Sequence, residues 1–354
     1  MKRLLIALLL VALVFSTVFA QGAKESAPAK KGGWRIALSN DYAGNSWRQT
    51  MISDFEKVAK IALDKGLIAE AKVFTTNESS AAEQAAQIQN LILEGYDAIV
   101  LVAASATALN GAVKQATDAG IVVVSFDNVV TEESAWRLVT DFEYAGAAQV
   151  EWIADRFDKA TILEVRGLSG TYVNDAIHEG IHNALKNYPN LKVVGEVYGD
   201  WTQSVAQREV AGILPSLPHI DAVLTQGGDG YGTFKAFEAA GREIPLIMMG
   251  NRYDELTLWR ELDEKGGYDT MSITIPPGTG TIAFWMAVEQ LNGNDVPKLL
   301  TTRPLTVLRE SLDYHIDNTE PGGVATLVYP QEWVQELIAS FKAGDPPPVD
   351  PISK

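Results

Sequence analysis

Short apolar runs that alternate with longer helical segments constrain the fold of this chain more than any other feature. Segments such as "AAEQAAQIQNLILEG" and "YGTFKAFEAAG" lie between the runs and have the spacing of amphipathic helices. Such alternation is typical of βαβ units, whose strands form parallel sheets. The sequence therefore predicts an α/β fold with strands at Ile36–Leu38, Ala71–Thr75, Ala98–Val102, Ile121–Ser125, Ile162–Val165, Val193–Val197, Ala222–Thr225 and Leu246–Met249.

The pattern occurs twice along the chain. The stretch "GYDAIVLVAAS" is similar to "HIDAVLTQGGD", and each is followed by a helical segment that ends in Ala-Gly and leads to another strand. Asp97 precedes Asp127 by thirty positions, and Asp221 precedes Asn251 by the same interval. A period of more than about 100 residues indicates a duplicated domain rather than a solenoid. We therefore predict two similar, doubly wound parallel-sheet lobes.

The duplication also predicts where a ligand binds. Ligands of open parallel sheets bind beyond the carboxyl ends of the strands, so two lobes can present two sets of strand ends to one cleft. Planar polar side chains bind pairs of hydroxyl groups, and aromatic faces cover the C–H face of a sugar ring. A polyhydroxylated ligand suits the residues at these ends, which are Asn40, Asp41, Thr76, Asn77, Ser105, Asp127, Asn128, Arg166, Asp200, Trp201, Gln226, Asp229, Asn251 and Arg252.

Composition excludes several classes of function. The 354 residues are 47% hydrophobic, which is enough for a large core and for more than one domain. A net charge of −16 argues against binding to nucleic acid or to an anionic membrane surface. The chain has no cysteine, which excludes disulfides, thiolate metal ligands and a cysteine nucleophile.

The N-terminus has the features of an export signal. The stretch "MKRLLIALLLVALVFSTVFA" has a basic start, an apolar run and small residues at Val18 and Ala20. It predicts a signal peptide over 1–20, cleaved after about Ala20, with an uncleaved membrane anchor as the alternative. No cysteine follows that could accept a lipid anchor. We expect a periplasmic protein with a flexible leader at 21–33 and a flexible tail at 346–354.

An ordered series of motifs carries a resemblance to a known family. The motifs, found between about residues 34 and 308, are "IALSNDYAGNSWRQ", "EGYDAIVLVAAS", "AGIVVVSFDN", "VRGLSGTYVNDAIHEGI", "DAVLTQGGDGYGTFKAFEAAG" and "MSITIPPG". Together they resemble a ribose-type periplasmic sugar-binding protein, the solute receptor of a bacterial ABC importer. The resemblance implies a type I periplasmic binding protein fold with a hinge and a ligand cleft. It places lobe one at 34–140 plus 276–303, and lobe two at 141–275 plus 304–345.

The resemblance also implies the site residues. Carried over by position, the ligand contacts are Asn45, Trp47, Arg48, Asp127, Asn128, Asn174, Asp175, Trp201, Gln226, Asp229, Asn251 and Arg252. Two positions depart from the family pattern, because the family's Arg falls on Asp175 and its Asp falls on Arg252. This exchange of charge argues against ribose itself and favours another pentose, a hexose, a polyol or a sugar derivative.

Seven of these residues also have a structural interpretation. Trp47 could pack under the hinge, and Trp201 could cover a loop. Asp127 and Asn128 could form an Asx turn or a helix cap, and Asn174 and Asp175 could cap the helix that begins there. Arg252 could form a surface salt bridge.

Two further motifs are similar to signatures of metal and dinucleotide sites. "HEGIH", from His178 to His182, matches the zinc-protease signature H-E-x-x-H, in which Glu179 would be the general base. The sequence does not identify a third ligand, so we expect no metal and no cofactor. "GGDGYG" departs from the dinucleotide fingerprint because Thr233 stands at the last glycine position, and we expect a loop that borders the cleft.

The favoured function is a monomeric, non-enzymatic receptor that captures a sugar or polyol and delivers it to an ABC transporter permease. A sensory module that presents the ligand to a chemoreceptor or a kinase would have the same cleft and remains an alternative. A secreted zinc hydrolase that uses "HEGIH" is a further alternative. The predicted signal peptide argues against a transcriptional regulator of the same fold.

Overall fold

A computed structural model describes residues 33–77 and 79–352. The predicted signal peptide and all of the predicted leader except residue 33 lie outside these residues. The strands are β1 Trp34–Asn40, β2 Ile68–Thr75, β3 Ala98–Leu101, β4 Val122–Phe126, β5 Trp136–Thr140, β6 Ala160–Arg166, β7 Leu191–Tyr198, β8 Ala222–Thr225, β9 Leu246–Ile247, β10 Ser272–Thr274, β11 Leu299–Thr302 and β12 Leu305–Val307. The α-helices are α1 Ser46–Asp64, α2 Ala81–Leu93, α3 Asn110–Asp118, α4 Phe142–Ala154, α5 Tyr172–Leu185, α6 Gln203–Ile213, α7 Gly230–Ala239, α8 Tyr253–Gly266, α9 Thr279–Leu291, α10 Arg309–Asp317 and α11 Gln331–Ala343.

The first lobe contains a six-stranded sheet in the order β11-β5-β4-β3-β1-β2. All its strand pairs are parallel, with Ile36 opposite Ala98 and Ile99 opposite Val123. Every residue of β3 and β4 is buried. Central parallel strands are covered by helices on both faces, which explains why their sequences are continuous apolar runs rather than alternating ones.

The second lobe contains a parallel four-stranded sheet in the order β7-β6-β8-β9. An antiparallel pair, β10-β12, continues it through a bridge between Met249 and Ser272. Helix α5 packs extensively on α4. A side chain at Gly180 of α5 would clash with the backbone at Glu143, so this close approach requires glycine.

The chain passes between the two sheets three times. It leaves the first sheet after β5, returns after β10 to form α9 and β11, and leaves again to form β12. Helix α9 packs on α1 and on β4, so it belongs to the first lobe. The predicted α/β fold with two parallel-sheet lobes is confirmed.

The C-terminal region corrects the prediction that 304–345 lies entirely in lobe two. Helix α10 packs on α8, but α11 packs on α9 against the first lobe. The reason is the apolar face of α11, whose Trp333 and Leu337 are buried in the same core as α9. Trp285 of α9 also donates from Nε1 to the carbonyl of Tyr329, at 3.1 Å.

Residues 346–352 are held against this helix, in contrast to the predicted flexible tail. Trp333 Nε1 donates to the carbonyl of Val349 at 2.8 Å, and the Tyr329 hydroxyl lies 3.3 Å from Asp350 Oδ1. In the part of the chain that the structure describes, no helix has both the length and the apolar character of a bilayer-spanning segment.

Candidate ligand-binding cleft

The loop after β1 is shaped by Asn45. Its Oδ1 accepts from the backbone N–H of Arg48 at 2.8 Å, and its Nδ2 donates to the Tyr42 hydroxyl at 2.7 Å. The first bond is an N-cap, which satisfies a free backbone N–H of the first turn of α1. Asn45 therefore fixes the point at which α1 begins and the direction in which Arg48 leaves the helix.

Arg48 joins two carboxylates at the carboxyl ends of the first sheet. Its Nη1 lies 3.0 Å from Asp127 Oδ2, and its Nη2 lies 3.3 Å from Asp41 Oδ1. Only 8% of Arg48 is exposed. Burial raises the pKa of Asp127, and the Arg48 guanidinium opposes that rise. The three groups form a fixed charged set that can accept and donate hydrogen bonds to hydroxyl groups.

Asp127 has an unusual backbone conformation, with φ at +57° where β4 ends. Non-glycine residues rarely adopt this left-handed conformation, and Asp and Asn tolerate it best. Residues held in such conformations cluster at functional sites. Its neighbour Asn128 is exposed and donates from Nδ2 to the carbonyl of Ala103. Asn128 therefore closes the turn, as the structural interpretation expects, while Asp127 pairs with Arg48 and stays a predicted ligand contact.

Trp47 is half-buried and linked to the hinge. Its indole Nε1 donates to the carbonyl of Ile275, at 3.1 Å, in the segment that returns to the first lobe after β10. The Arg48 guanidinium carbon lies 5.0 Å from the centre of the Trp47 ring. The hydrogen bond supports the structural interpretation of Trp47 and leaves its ring as a predicted stacking face.

Two amide side chains on the second lobe, Gln226 and Asn174, form hydrogen bonds within the protein. Gln226 accepts from the N–H of Gly167 at 2.9 Å and donates to the carbonyl of Asn174 at 3.0 Å. Asn174 is fully buried and donates from Nδ2 to Asp175 Oδ1 at 2.8 Å. These contacts hold the start of α5 against the ends of β6 and β8.

Arg166 was not among the predicted contacts, although the sequence places it at the end of β6. Its Nη2 lies 3.3 Å from Asp175 Oδ1, and its Nη1 lies 3.0 Å from Glu196 Oε1. A guanidinium thus stands beside Asp175, where the resembled family has its Arg. The position at a strand end was the signal that could have identified it.

Trp201 and Arg252 are in contact on the second lobe. The Trp201 ring lies directly over Gly167, whose lack of a side chain makes the approach possible. Arg252 donates from Nη2 to the carbonyl of Trp201 at 3.2 Å, and from Nη1 to Ser46 Oγ of the first lobe at 3.3 Å. Arg252 therefore connects the two lobes instead of forming a surface salt bridge.

Two acidic residues are buried at the "GGDGYG" loop, Asp229 within the loop and Glu255 on α8. Asp229 and Glu255 are both fully buried. Glu255 accepts from the N–H groups of Gly230 and Tyr231, at 2.6 and 3.2 Å, at the start of α7. Burial, reinforced by Glu255, raises the pKa of Asp229 well above its ordinary value, and burial also raises the pKa of Glu255. Nothing local in the sequence marks Glu255 as buried, so it was not among the predicted site residues.

Asn251 has a structural partner. Its Nδ2 donates to the carbonyl of Ala325 at 2.9 Å, and the N–H of Ala325 donates back to the Asn251 carbonyl at 2.7 Å. This pair anchors the segment between α10 and α11.

The predicted contacts thus fall into two groups, one on each lobe. The structure places Asn45, Trp47, Arg48 and Asp127 on one lobe and Asn174, Asp175, Trp201 and Gln226 on the other, while Arg252 contacts both.

Comparison with known proteins identifies the family. Residues 36–295 match the sequence profile of a family described as the periplasmic binding protein domain. The chain belongs to this family. The match covers most of both lobes of this periplasmic binding protein, which confirms the family that the sequence motifs indicated.

Individual relatives are similar over much of their length. A xylitol-binding protein of Mycolicibacterium smegmatis is 28% identical over 63% of this periplasmic binding protein, and the alignment spans 64% of that relative, just under two thirds. A ribose import binding protein of Bacillus subtilis is 26% identical over 79% of this chain and 89% of its own. The solved ABC transporter solute binding protein of Thermobispora bispora is 34% identical, with a TM-score of 0.77, over 90% of this chain and 99% of its own.

Proposed function

We propose that this chain is a non-enzymatic periplasmic receptor that captures a sugar or polyol between its lobes and delivers it to the permease of an ABC importer. The observation that carries the proposal is the arrangement of Arg252 and Ser46. Arg252, after the last strand of the second parallel sheet, reaches the helix that follows the first strand of the other. A ligand held there touches both lobes, and it stabilises the closed form because only that form makes both sets of contacts.

The first-lobe charged set would bind the hydroxyl groups. Arg48 holds Asp127 in one orientation, so the carboxylate is ordered before the ligand arrives. A site ordered in advance loses less conformational entropy on binding. Trp47 and Trp201 would supply aromatic faces for the C–H side of a sugar ring or a polyol chain.

The charges at the second lobe support a ligand other than ribose. Asp175 lies beside Arg166, and Arg252 occupies the position at which the resembled family has an Asp. Relatives named for xylitol and ribose indicate that five-carbon polyols and sugars are the first compounds to test. Hexoses, sugar acids and furanose forms belong in the same panel.

A thermal-shift panel tests the proposal. Export can be checked first, by fractionating cells that express the full chain, and the exported form then purified for binding. A ligand at about 100 times its Kd stabilises a protein by about 2.7 kcal/mol, which raises Tm by several degrees. We expect at least one polyol or monosaccharide to do so, with calorimetry giving one site per chain. Failure of the whole panel to shift Tm would contradict the proposal.

The role in transport needs a separate measurement. Deletion of the gene should abolish uptake of the identified ligand by the cell. A loss of signalling with unchanged uptake would instead assign the protein to the sensory role.

A further inference from the structure

The "HEGIH" motif lies on α5, beyond the cleft residues Asn174 and Asp175 of the same helix, and faces the sheet. His178 and His182 are separated by four residues, so they stand one helical turn apart on one side of the helix. Their ring centres are 4.2 Å apart. The side of α5 that carries them faces β6 and β7, and both rings are partly exposed.

A buried carboxylate lies between the two rings. Glu164, in the middle of β6, is fully buried. Its Oε1 lies 2.8 Å from His178 Nδ1, and its Oε2 lies 3.0 Å from His182 Nε2. This is the third candidate ligand that the sequence could not identify, and it comes from a strand rather than from the helix.

A second carboxylate completes the group. Glu196 of β7 is paired in register with Glu164 of β6, so the two side chains lie on the same face of the sheet. One ligand atom from each of Glu164, His178, His182 and Glu196 lies within 4.8 Å of all the others. We name these four residues the His2Glu2 cluster.

The charge of the cluster favours a cation. A fully buried carboxylate is costly unless it is paired with a positive group. Of the two carboxylates here, Glu196 has a cationic partner in Arg166, which also contacts Asp175. Glu164 is contacted by the two imidazoles, and within the described residues no Lys or Arg forms an ion pair with it. A divalent ion would balance the charge of both carboxylates.

We propose that the His2Glu2 cluster binds a divalent transition-metal ion of the zinc class. Imidazole nitrogen and carboxylate oxygen are both zinc ligands, at about 2.0–2.2 Å, and structural sites are closed by four protein ligands. The separations between the imidazole nitrogens and Glu164 are shorter than tetrahedral ligands require, so the side chains must spread slightly to admit the ion. Each ring must also present a lone pair, which moves the proton shared with Glu164 to the other ring nitrogen.

The site is structural rather than hydrolytic. A zinc protease uses three protein ligands and leaves the fourth position for water, whereas Glu196 supplies a fourth ligand here. Glu179, the general base of the protease signature, is exposed. The metal would tie α5 to β6 and to the edge strand β7. Because the first turn of α5 carries Asn174 and Asp175, this tie would also hold one wall of the proposed cleft.

Titration with metal alone tests the inference. The exported full chain is treated with chelator and dialysed, then titrated with Co²⁺ while visible absorption is recorded, and with Zn²⁺ in a calorimeter. We expect a tetrahedral Co²⁺ spectrum that saturates at one equivalent, Zn²⁺ that displaces it, and a higher Tm with Zn²⁺. Absence of saturable Co²⁺ and Zn²⁺ binding at one equivalent would overturn the proposal.

Three variants locate the ion. We expect His178→Gln and His182→Gln each to weaken Zn²⁺ binding by about tenfold to a hundredfold or more. His219→Gln is the matched control, since His219 is an exposed histidine of the same lobe whose ring lies 3.4 Å from Asp221, outside the cluster. Equal weakening by all three, or by none, would overturn the assignment. The rings at 178 and 182 are partly exposed, so these variants should fold, which circular dichroism checks.

Sugar binding is measured separately on the same samples. Metal binding without any sugar binding would contradict the proposed function and leave the metal site intact. Sugar binding without metal binding would contradict the metal site and leave the proposed function intact.

Discussion

On the first lobe, the charged groups of the cleft are paired with one another, whereas on the second lobe two carboxyls are buried behind a loop. Arg48 contacts both Asp41 and Asp127. Asp229 and Glu255 instead lie together, and each has a raised pKa. In the proposed function, the first lobe would therefore bind the ligand through ordered charges, while the second would depend on Arg252 and the shape of its loops.

The largest effect is expected from Arg48→Ala. The change leaves the buried Asp41 and the largely buried Asp127 without their shared cation, and breaking such a pair destabilises by about 3–5 kcal/mol. Urea denaturation measures the loss, and calorimetry should show loss of ligand binding. Lys60→Ala is the control, because its pair with Asp64 is exposed and worth no more than about 0.5 kcal/mol. Equal effects of the two changes would show that the first-lobe charges are not a buried set.

Asp229→Asn should change how stability depends on pH. A carboxyl with a raised pKa binds its proton more tightly in the folded state. Wild-type stability therefore falls as pH rises from about 3.9, the pKa of Asp in unfolded chains, towards the raised folded value. The charged groups that act on Asp229 are Glu255, Arg252 and Asp200. Because Asn does not titrate, the variant should gain stability relative to wild type as pH rises through this window.

Urea denaturation at intervals between pH 4 and pH 8 measures this difference. Asp263→Asn, at an exposed pair with Arg309 on the same lobe, is the control and should show no such gain. A constant difference between wild type and Asp229→Asn across the range would show that Asp229 is ionised in the folded protein at every pH tested.

Two variants of Trp47 distinguish ring stacking on the ligand from support of the hinge. Trp47→Ala should weaken ligand binding by about tenfold to a hundredfold, since it removes an aromatic face and a large apolar contact. Trp47→Phe keeps an aromatic ring but removes the hydrogen bond to the Ile275 carbonyl. We expect Phe to restore most of the affinity, as measured by calorimetry. Equal losses in Ala and Phe would assign Trp47 to the hinge alone.

The sequence predicts what depends on local pattern and misses what depends on distant contacts. Eight of the twelve strands that the structure describes, and the position of Asp127 at a strand end, follow from neighbouring residues. The pairing of Arg48 with Asp127 joins residues 79 positions apart, and Glu255 reaches the start of α7 from another helix. Glu164 is likewise an acidic residue within an apolar strand, and only the packed helix shows its two histidine neighbours.

The C-terminal region shows the same limit. The sequence of α11 does not show which lobe its apolar face contacts, because both lobes present apolar helices. The position of α11 on α9 follows from long-range packing around Trp285 and Trp333.

The smallest effect is expected from Ser46→Ala, at the contact between the two lobes. Ser46→Ala removes the hydroxyl that accepts from Arg252 across the cleft. A single hydrogen bond of this kind contributes about 0.5–1.5 kcal/mol, so ligand affinity should fall by about twofold to tenfold. Because the bond forms between lobes, the loss should fall on binding and leave the urea stability of the ligand-free protein nearly unchanged. Thr50→Ala, at a partly buried position one turn further along α1, is the control and should change neither. The opposite outcome is a loss of ligand-free stability as large as the loss of binding free energy. It would show that the contact stabilises the ligand-free fold. Arg252 would then be a structural link between the lobes instead of part of the closure.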